Sequence, residues 1–138
     1  MIAIFISLFT VILSFNFFMM SHQMNGINRL VLNVPLSLFE NAINVYEINE
    51  RSGPYFNKRE LEENLTYYFN YHMIKYVDSY SLRFYYYNIE DHSIDMSSTP
   101  KAVDVTLSTT VAMYTRYEKT MFYEIRSNQW IPKNLLAF

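Results

Sequence analysis

The first twenty residues, MIAIFISLFTVILSFNFFMM, constrain everything that follows. They carry no charged side chain and one strongly polar residue, Asn16; the hydroxyls of Ser7, Thr10 and Ser14 can bond back to their own helix. An α-helix needs about 20 such residues to cross the hydrocarbon core of a bilayer. A lone segment in lipid must be helical, because its backbone groups find no water there. The stretch therefore reads as a membrane-spanning anchor, and the rest of the chain as a domain held at a membrane.

A cleaved secretory signal is the first competing reading. It would need a basic leading region, a short apolar region and a small-x-small cleavage site. Here no Lys or Arg precedes Arg29, the apolar run is longer than usual, and Met19-Met20-Ser21-His22-Gln23-Met24 offers no small-x-small pair. The second is a buried helix of a soluble core. A retained anchor fits the residues better than either. Flanking Lys and Arg, which set orientation, are nearly absent. With the apolar run beginning at Met1, the N-terminal side has room for essentially no cytoplasmic domain, which leads us to expect the C-terminal part outside the cytoplasm.

The balance of the 138 residues suffices for one modest domain. A net charge of −2 leaves no basic footprint, so no nucleic-acid partner is expected. Without Cys there are no disulfides, thiol nucleophiles or thiolate metal sites. The 13 Tyr and 11 Phe supply rings suited to half-buried sheets and interfaces.

Beyond a polar step at Ser21 to Asn25, apolar residues recur at Ile27, Val31, Val34, Leu38, Ala42 and Val45, one stripe of a helix. Asn28, Arg29, Asn33, Ser37, Glu40, Asn41, Asn44 and Glu47 fall on the other face. We expect one long helix, membrane half first and amphipathic half second. Gly26 costs it about 1 kcal/mol, and Pro35 bends it near Asn33–Val34. The alternative is two helices, broken at Ser21–Asn25 or at Pro35. Glu50-Arg51-Ser52-Gly53-Pro54 is a stop signal.

Asn57-Lys58-Arg59-Glu60 has the form of a capping box. It opens a second helix, about Lys58–Val77, with Leu61, Leu65, Tyr68, Phe69, His72, Met73 and Tyr76 on one face. The period then changes to alternation, giving strands at about Tyr80–Ile89, Ala102–Tyr114 and Thr120–Arg126. The sequence thus predicts an α+β fold: an N-terminal membrane helix continuing into an amphipathic helix, a second helix, then a three-stranded antiparallel sheet covered by the helical stripes. The divisions are an anchor over 1–20, its amphipathic extension over 21–50, and an extracytoplasmic α+β domain over 57–138. The apolar tail, Trp130-Ile131-Pro132 to Phe138, packs on the domain, lies at the membrane interface or docks a partner.

Motifs for chemistry are missing: GxGxxG, the phosphate-binding loop, HExxH and GxSxG. His22, His72 and His92 lie on different elements without metal-ligand spacing. The loop Glu90 to Asp95 lacks the residue order of a calcium loop and reads as a solvated turn. Asn64-Leu65-Thr66 matches a glycosylation sequon by chance on a helix, and Tyr85-Tyr86-Tyr87, with no basic groove beside it, reads as sheet packing or a protein contact. No cofactor and no enzymatic activity are expected. Asn16 differs, since a polar side chain in lipid seeks a partner on another helix.

An apolar helix that continues as an amphipathic helix and then covers a small antiparallel sheet resembles the layout of pilins and pseudopilins. The basic leader and Phe-Thr-Leu-x-Glu start of type IV pilins are not seen, and Phe5 stands where they place Glu, so prepilin-type processing is not expected. With its apolar start, helix and strands of the type AVDVTLSTTVAMY, the chain is more similar to TadE-like pseudopilins and minor pilin-like proteins of tight-adherence or conjugation-linked pili. That resemblance implies a single-pass membrane subunit, which can stand at the cell surface in a filament. Its implied partners are membrane lipid and other pilin-like subunits or a pilus or secretion assembly, in a homo- or hetero-oligomer. The residues expected to act, by packing alone, are Ile2, Phe5, Leu8, Leu13 and Asn16 in the anchor and Val31, Val34, Leu38 and Val45 in the stripe. A signal-anchored extracytoplasmic accessory protein is the alternative, and continuity through Ser21–Pro35 discriminates the two.

Overall fold

The computed structural model describes residues 1–44, 54–88, 93–97, 99–112 and 115–133. Expectations placed on Val45, Glu47, residues 50–53, Glu90 to His92, Met113, Tyr114 and the tail from Asn134 to Phe138 lie outside these residues. The order of elements is α1 (Ile2–Leu32), α2 (Ser37–Glu40), β1 (Ile43–Asn44), β2 (Tyr55–Phe56), α3 (Lys58–Met73), β3 (Tyr80–Tyr87), β4 (Ala102–Val111), β5 (Thr115–Glu124) and β6 (Gln129–Pro132).

Helix α1 runs unbroken through Ser21–Asn25, where the sequence allowed a break. It ends at Leu32 rather than near residue 50, so the expected bend at Pro35 is a termination. The cause is local. A residue at position 35 would donate its N–H to the Val31 carbonyl, but proline has none and its ring crowds that carbonyl. Asn33 instead donates back to Arg29 O at 3.1 Å, and the chain turns into α2. That four-residue helix inserts Phe39, fully buried, between the rings of Tyr123 (4.3 Å, stacked) and Trp130 (4.8 Å). The stripe itself survives the break. Ile27, Val31, Val34 and Ala42 are buried and Leu38 is half-buried, although they belong to three segments rather than one helix.

Helix α3 starts where the capping pattern placed it. The Asn57 side chain accepts from Glu60 N, while the N–H of Asn57 goes to Ala42 O at 2.8 Å. Its apolar face, Leu61, Leu65, Phe69 and Met73, is fully buried. The helix closes at Met73, four residues early, in a turn where the N–H groups of Tyr76 and Val77 both donate to Met73 O.

The main sheet has four strands in the order β3-β4-β5-β6, all antiparallel, not three. The additional strand, β6, begins at Gln129 and takes in Trp130, Ile131 and Pro132, the first three residues of the apolar tail. Four residues are too few for alternation to show, and the turn before it depends on Asn128 at φ 50°, a left-handed conformation that Asn tolerates. Strand β5 begins at Thr115, five residues earlier than the alternation suggested, because its first half is charged yet pairs fully with β4. A separate two-stranded pair joins β1 to β2. The inner row Tyr86–Val103–Tyr123–Trp130 packs under the helices. The outer row at the same level also holds buried groups, Asp104 and Phe122, with Lys133 donating to the Asp104 carboxylate and lying 5.0 Å above the Tyr87 ring.

Candidate functional site

The feature with functional content is the passage of α1 from bare helix into the domain. Every residue from Ile2 to Met19 is exposed, and burial is complete only at Ile27. At 1.5 Å per residue the bare, apolar part is about 27 Å long, close to the roughly 30 Å of a hydrocarbon core. Among the described residues α1 is the one helix long and apolar enough to cross a membrane, by length and composition.

The docked part is held by side chains of α3, β5 and β6 and by backbone groups just beyond α3 and β4. The Gln23 amide bridges the last two: Nε2 donates to Tyr76 O at 2.8 Å beyond α3, and Oε1 accepts from Ala112 N at 2.7 Å beyond β4. Ala112 is left-handed at φ 49°, a costly state for a residue with a Cβ, and this bond helps to hold it. Three residues on, Gly26 lets the Tyr76 ring lie directly on the helix; a Cβ there would overlap the ring. The His22 ring lies between Phe18 (6.5 Å, stacked) and Tyr76 (6.2 Å). Tyr117 of β5 donates to the Asn28 side-chain oxygen.

The last turn is fixed by the carbonyls that the helix end leaves without partners. The Tyr68 hydroxyl of α3 donates to Leu30 O at 3.0 Å. The Trp130 indole N–H of β6 donates to Val31 O at 2.6 Å, taking the place of the proton that Pro35 lacks. Burial raises the phenol pKa values of Tyr68 and Tyr80, and raises Tyr117 to about 12. Tyr123 is pushed up to about 12 by burial and then by the Glu40 carboxylate. A phenol is uncharged at neutral pH without any shift; these shifts extend its neutrality into the alkaline range. This collar ties the docked part of α1 to the domain, and the bare part continues it as one unbroken helix.

Of the residues expected to act, Ile2, Phe5, Leu8, Leu13 and Asn16 lie on the bare half, with Phe5 70% exposed. The Asn16 amide makes no hydrogen bond among the described residues. Val31, Val34 and Leu38 lie in or against the core, apart from the first group. The residues that sequence reasoning passed over are Gln23, Asn28, Tyr117 and Trp130 as clamps, and Gly26 as a point of close approach. The scarcity of glycine, two in the chain, was the one signal for Gly26.

The other candidates are accounted for by packing. His72 lies against Tyr68 (4.5 Å) and Tyr71 (5.0 Å). Asn64 of the sequon donates to Leu38 O at 3.3 Å. Tyr86 faces the core while Tyr85 faces outward. Asp95 accepts from Ser97 N at 2.8 Å. Among the described residues no three His, Asp or Glu side chains gather as a metal set. No family model, no curated protein and no solved structure matches the chain.

Proposed function

We propose that the protein is a single-pass, pilin-like structural or assembly subunit of a surface filament or secretion machine, with its C-terminal domain outside the cytoplasm, acting by helix packing. The observation that carries this reading is the continuity of α1 through Ser21–Asn25 together with its clamps. A domain on a flexible tether can sit at any angle to its anchor. A domain locked to a stiff apolar shaft has one orientation, and that is what side-by-side packing of shafts in an ordered assembly requires. Lipid covers Ile2, Phe5, Leu8 and Leu13 during storage, and like helices cover them in the assembly. Asn16 then pairs with a polar group of a neighbouring helix, because a free amide in hydrocarbon is costly.

Intact-mass measurement on washed membranes, with fractionation of sheared surface material, tests the reading. It expects a full-length or nearly full-length chain in high-molecular-weight sheared fibres. Loss of about 20 residues with release of a soluble remainder ends it. A full-length chain confined to the membrane transfers the case to an anchored accessory protein, for which the exposed Tyr67 and Tyr71 of α3 supply a contact surface.

A further inference from the structure

We propose that the end of the domain where α1 enters it rests in the phospholipid headgroup layer, with Ile74 as its apolar contact and Lys75 and Tyr71 beside it. The inference rests on the membrane reading above and adds a second, side-chain contact between domain and bilayer.

Three contacts fix which end of the domain faces the anchor. Asn64 reaches Leu38, Tyr68 reaches Leu30 and Tyr76 is held by Gln23. From Tyr68 of α3 to Tyr76 in the turn after it, the partner on α1 falls from Leu30 to Gln23, so α3 runs antiparallel to the anchor and its C-terminal end is nearest the apolar run. The height follows from the helix itself. Gln23 lies three residues past Met20, about 4.5 Å along the axis. The headgroup region on each side of a bilayer is about 5–7 Å deep. The clamp leaves no slack for the domain to rise, so the turn at Ile74, Lys75 and Tyr76 is set at headgroup depth.

The side chains there suit that layer. Ile74 is 78% exposed, an apolar side chain at a turn that no described residue covers. Tyr71, one turn higher on the same face of α3, is also exposed, and amphipathic rings favour the headgroup level. Lys75 is exposed next to Ile74, with a stem long enough to lie on apolar surface while its ammonium reaches a phosphate. Phospholipid is the occupant because this surface is continuous with the helix that enters the bilayer.

The chain has no cysteine, so single cysteines label cleanly. A fluorophore is placed at Leu8→Cys, Ile74→Cys or Glu63→Cys in the full chain, reconstituted in phosphatidylcholine vesicles. Glu63 lies on the same face of α3, about 16 Å farther from the bilayer. Lipids spin-labelled on the headgroup should remove most of the emission at position 74 and little at 63. Lipids spin-labelled in the acyl chain should quench position 8. Equal, weak quenching at 74 and 63 with strong quenching at 8 overturns the inference and leaves the membrane helix standing; a neighbouring copy covering Ile74 would give that result. Absence of quenching at 8 removes the membrane reading and the inference with it.

Discussion

The two halves of α1 share one secondary structure and nothing else. From Ile2 to Met19 the helix is exposed along its whole length, and its large apolar side chains are bare. From Gln23 to Val31 it is gripped by α3, the β4 end, β5 and β6 through five hydrogen bonds. The contrast separates two kinds of stability. The docked half is stable because of this chain's own fold. The bare half has no such contacts among the described residues, so nothing in the fold itself holds it.

Substitutions on the two sides should therefore report to different measurements. The largest effect on folding is expected at Ile27, which is fully buried. Ile27→Ala should destabilise the domain by about 2–5 kcal/mol, read as a fall in the thermal midpoint in mild detergent. Leu8→Ala, at an exposed position of the same helix, should leave that midpoint unchanged. A comparable loss from both would mean that the bare half is part of the domain's folding unit, and the contrast would fail.

The second effect lies wholly on the bare side. Leu13→Arg places a charge near the middle of the apolar run and should cost about 3 kcal/mol of insertion. The expected result is loss of protein from the membrane fraction, with the circular dichroism and midpoint of the domain retained. If Leu13→Arg stays in the membrane while the domain unfolds, the helix is a core element instead.

How much of this was legible beforehand differs between the halves in the same way. A helix long and apolar enough to cross a membrane was readable because length and apolarity are local properties. The stripe Ile27, Val31, Val34 and Ala42 was readable because burial periodicity survives even where the helix does not. The clamps were not. Gln23 is an ordinary polar residue until Tyr76 and Ala112, 53 and 89 positions away, fold onto it. Gly26 looked like a cost to the helix because the ring that needs the space is distant in sequence. Strand β6 was missed because four residues around a tryptophan and a proline show no period.

Alkaline pH should attack the folded domain and spare the bare half. Tyr117 and Tyr123 are neutral in the fold and their pKa values are raised to about 12, whereas in the unfolded chain tyrosine ionises near about 10. The unfolded state therefore loses protons first as pH rises. Their contribution is complete below about pH 10 and disappears as pH approaches about 12. The thermal midpoint should be level up to about pH 10 and fall above it, with the tyrosinate absorbance of these two residues appearing at unfolding. Helical content of the bare half in micelles should be unaffected. A midpoint level to about pH 12 would show that these phenols ionise freely in place, and that the grip on Asn28 is not a buried contact.

The smallest effect tests how the docked half ends. Trp130→Phe keeps a ring against Phe39 but removes the donor to Val31 O, which should cost about 1–3 kcal/mol. Pro35→Ala restores a backbone N–H in reach of the same carbonyl, yet favours extension of α1 into the turn that delivers Phe39, so it too should destabilise. If Trp130 substitutes for the proton that Pro35 lacks, the two changes are coupled: in the double variant the restored backbone N–H at position 35 takes the carbonyl, and the combined loss should be smaller than the sum. Strict additivity would place the value of Trp130 in its ring packing, and the indole bond would then follow from the end of the helix without holding it.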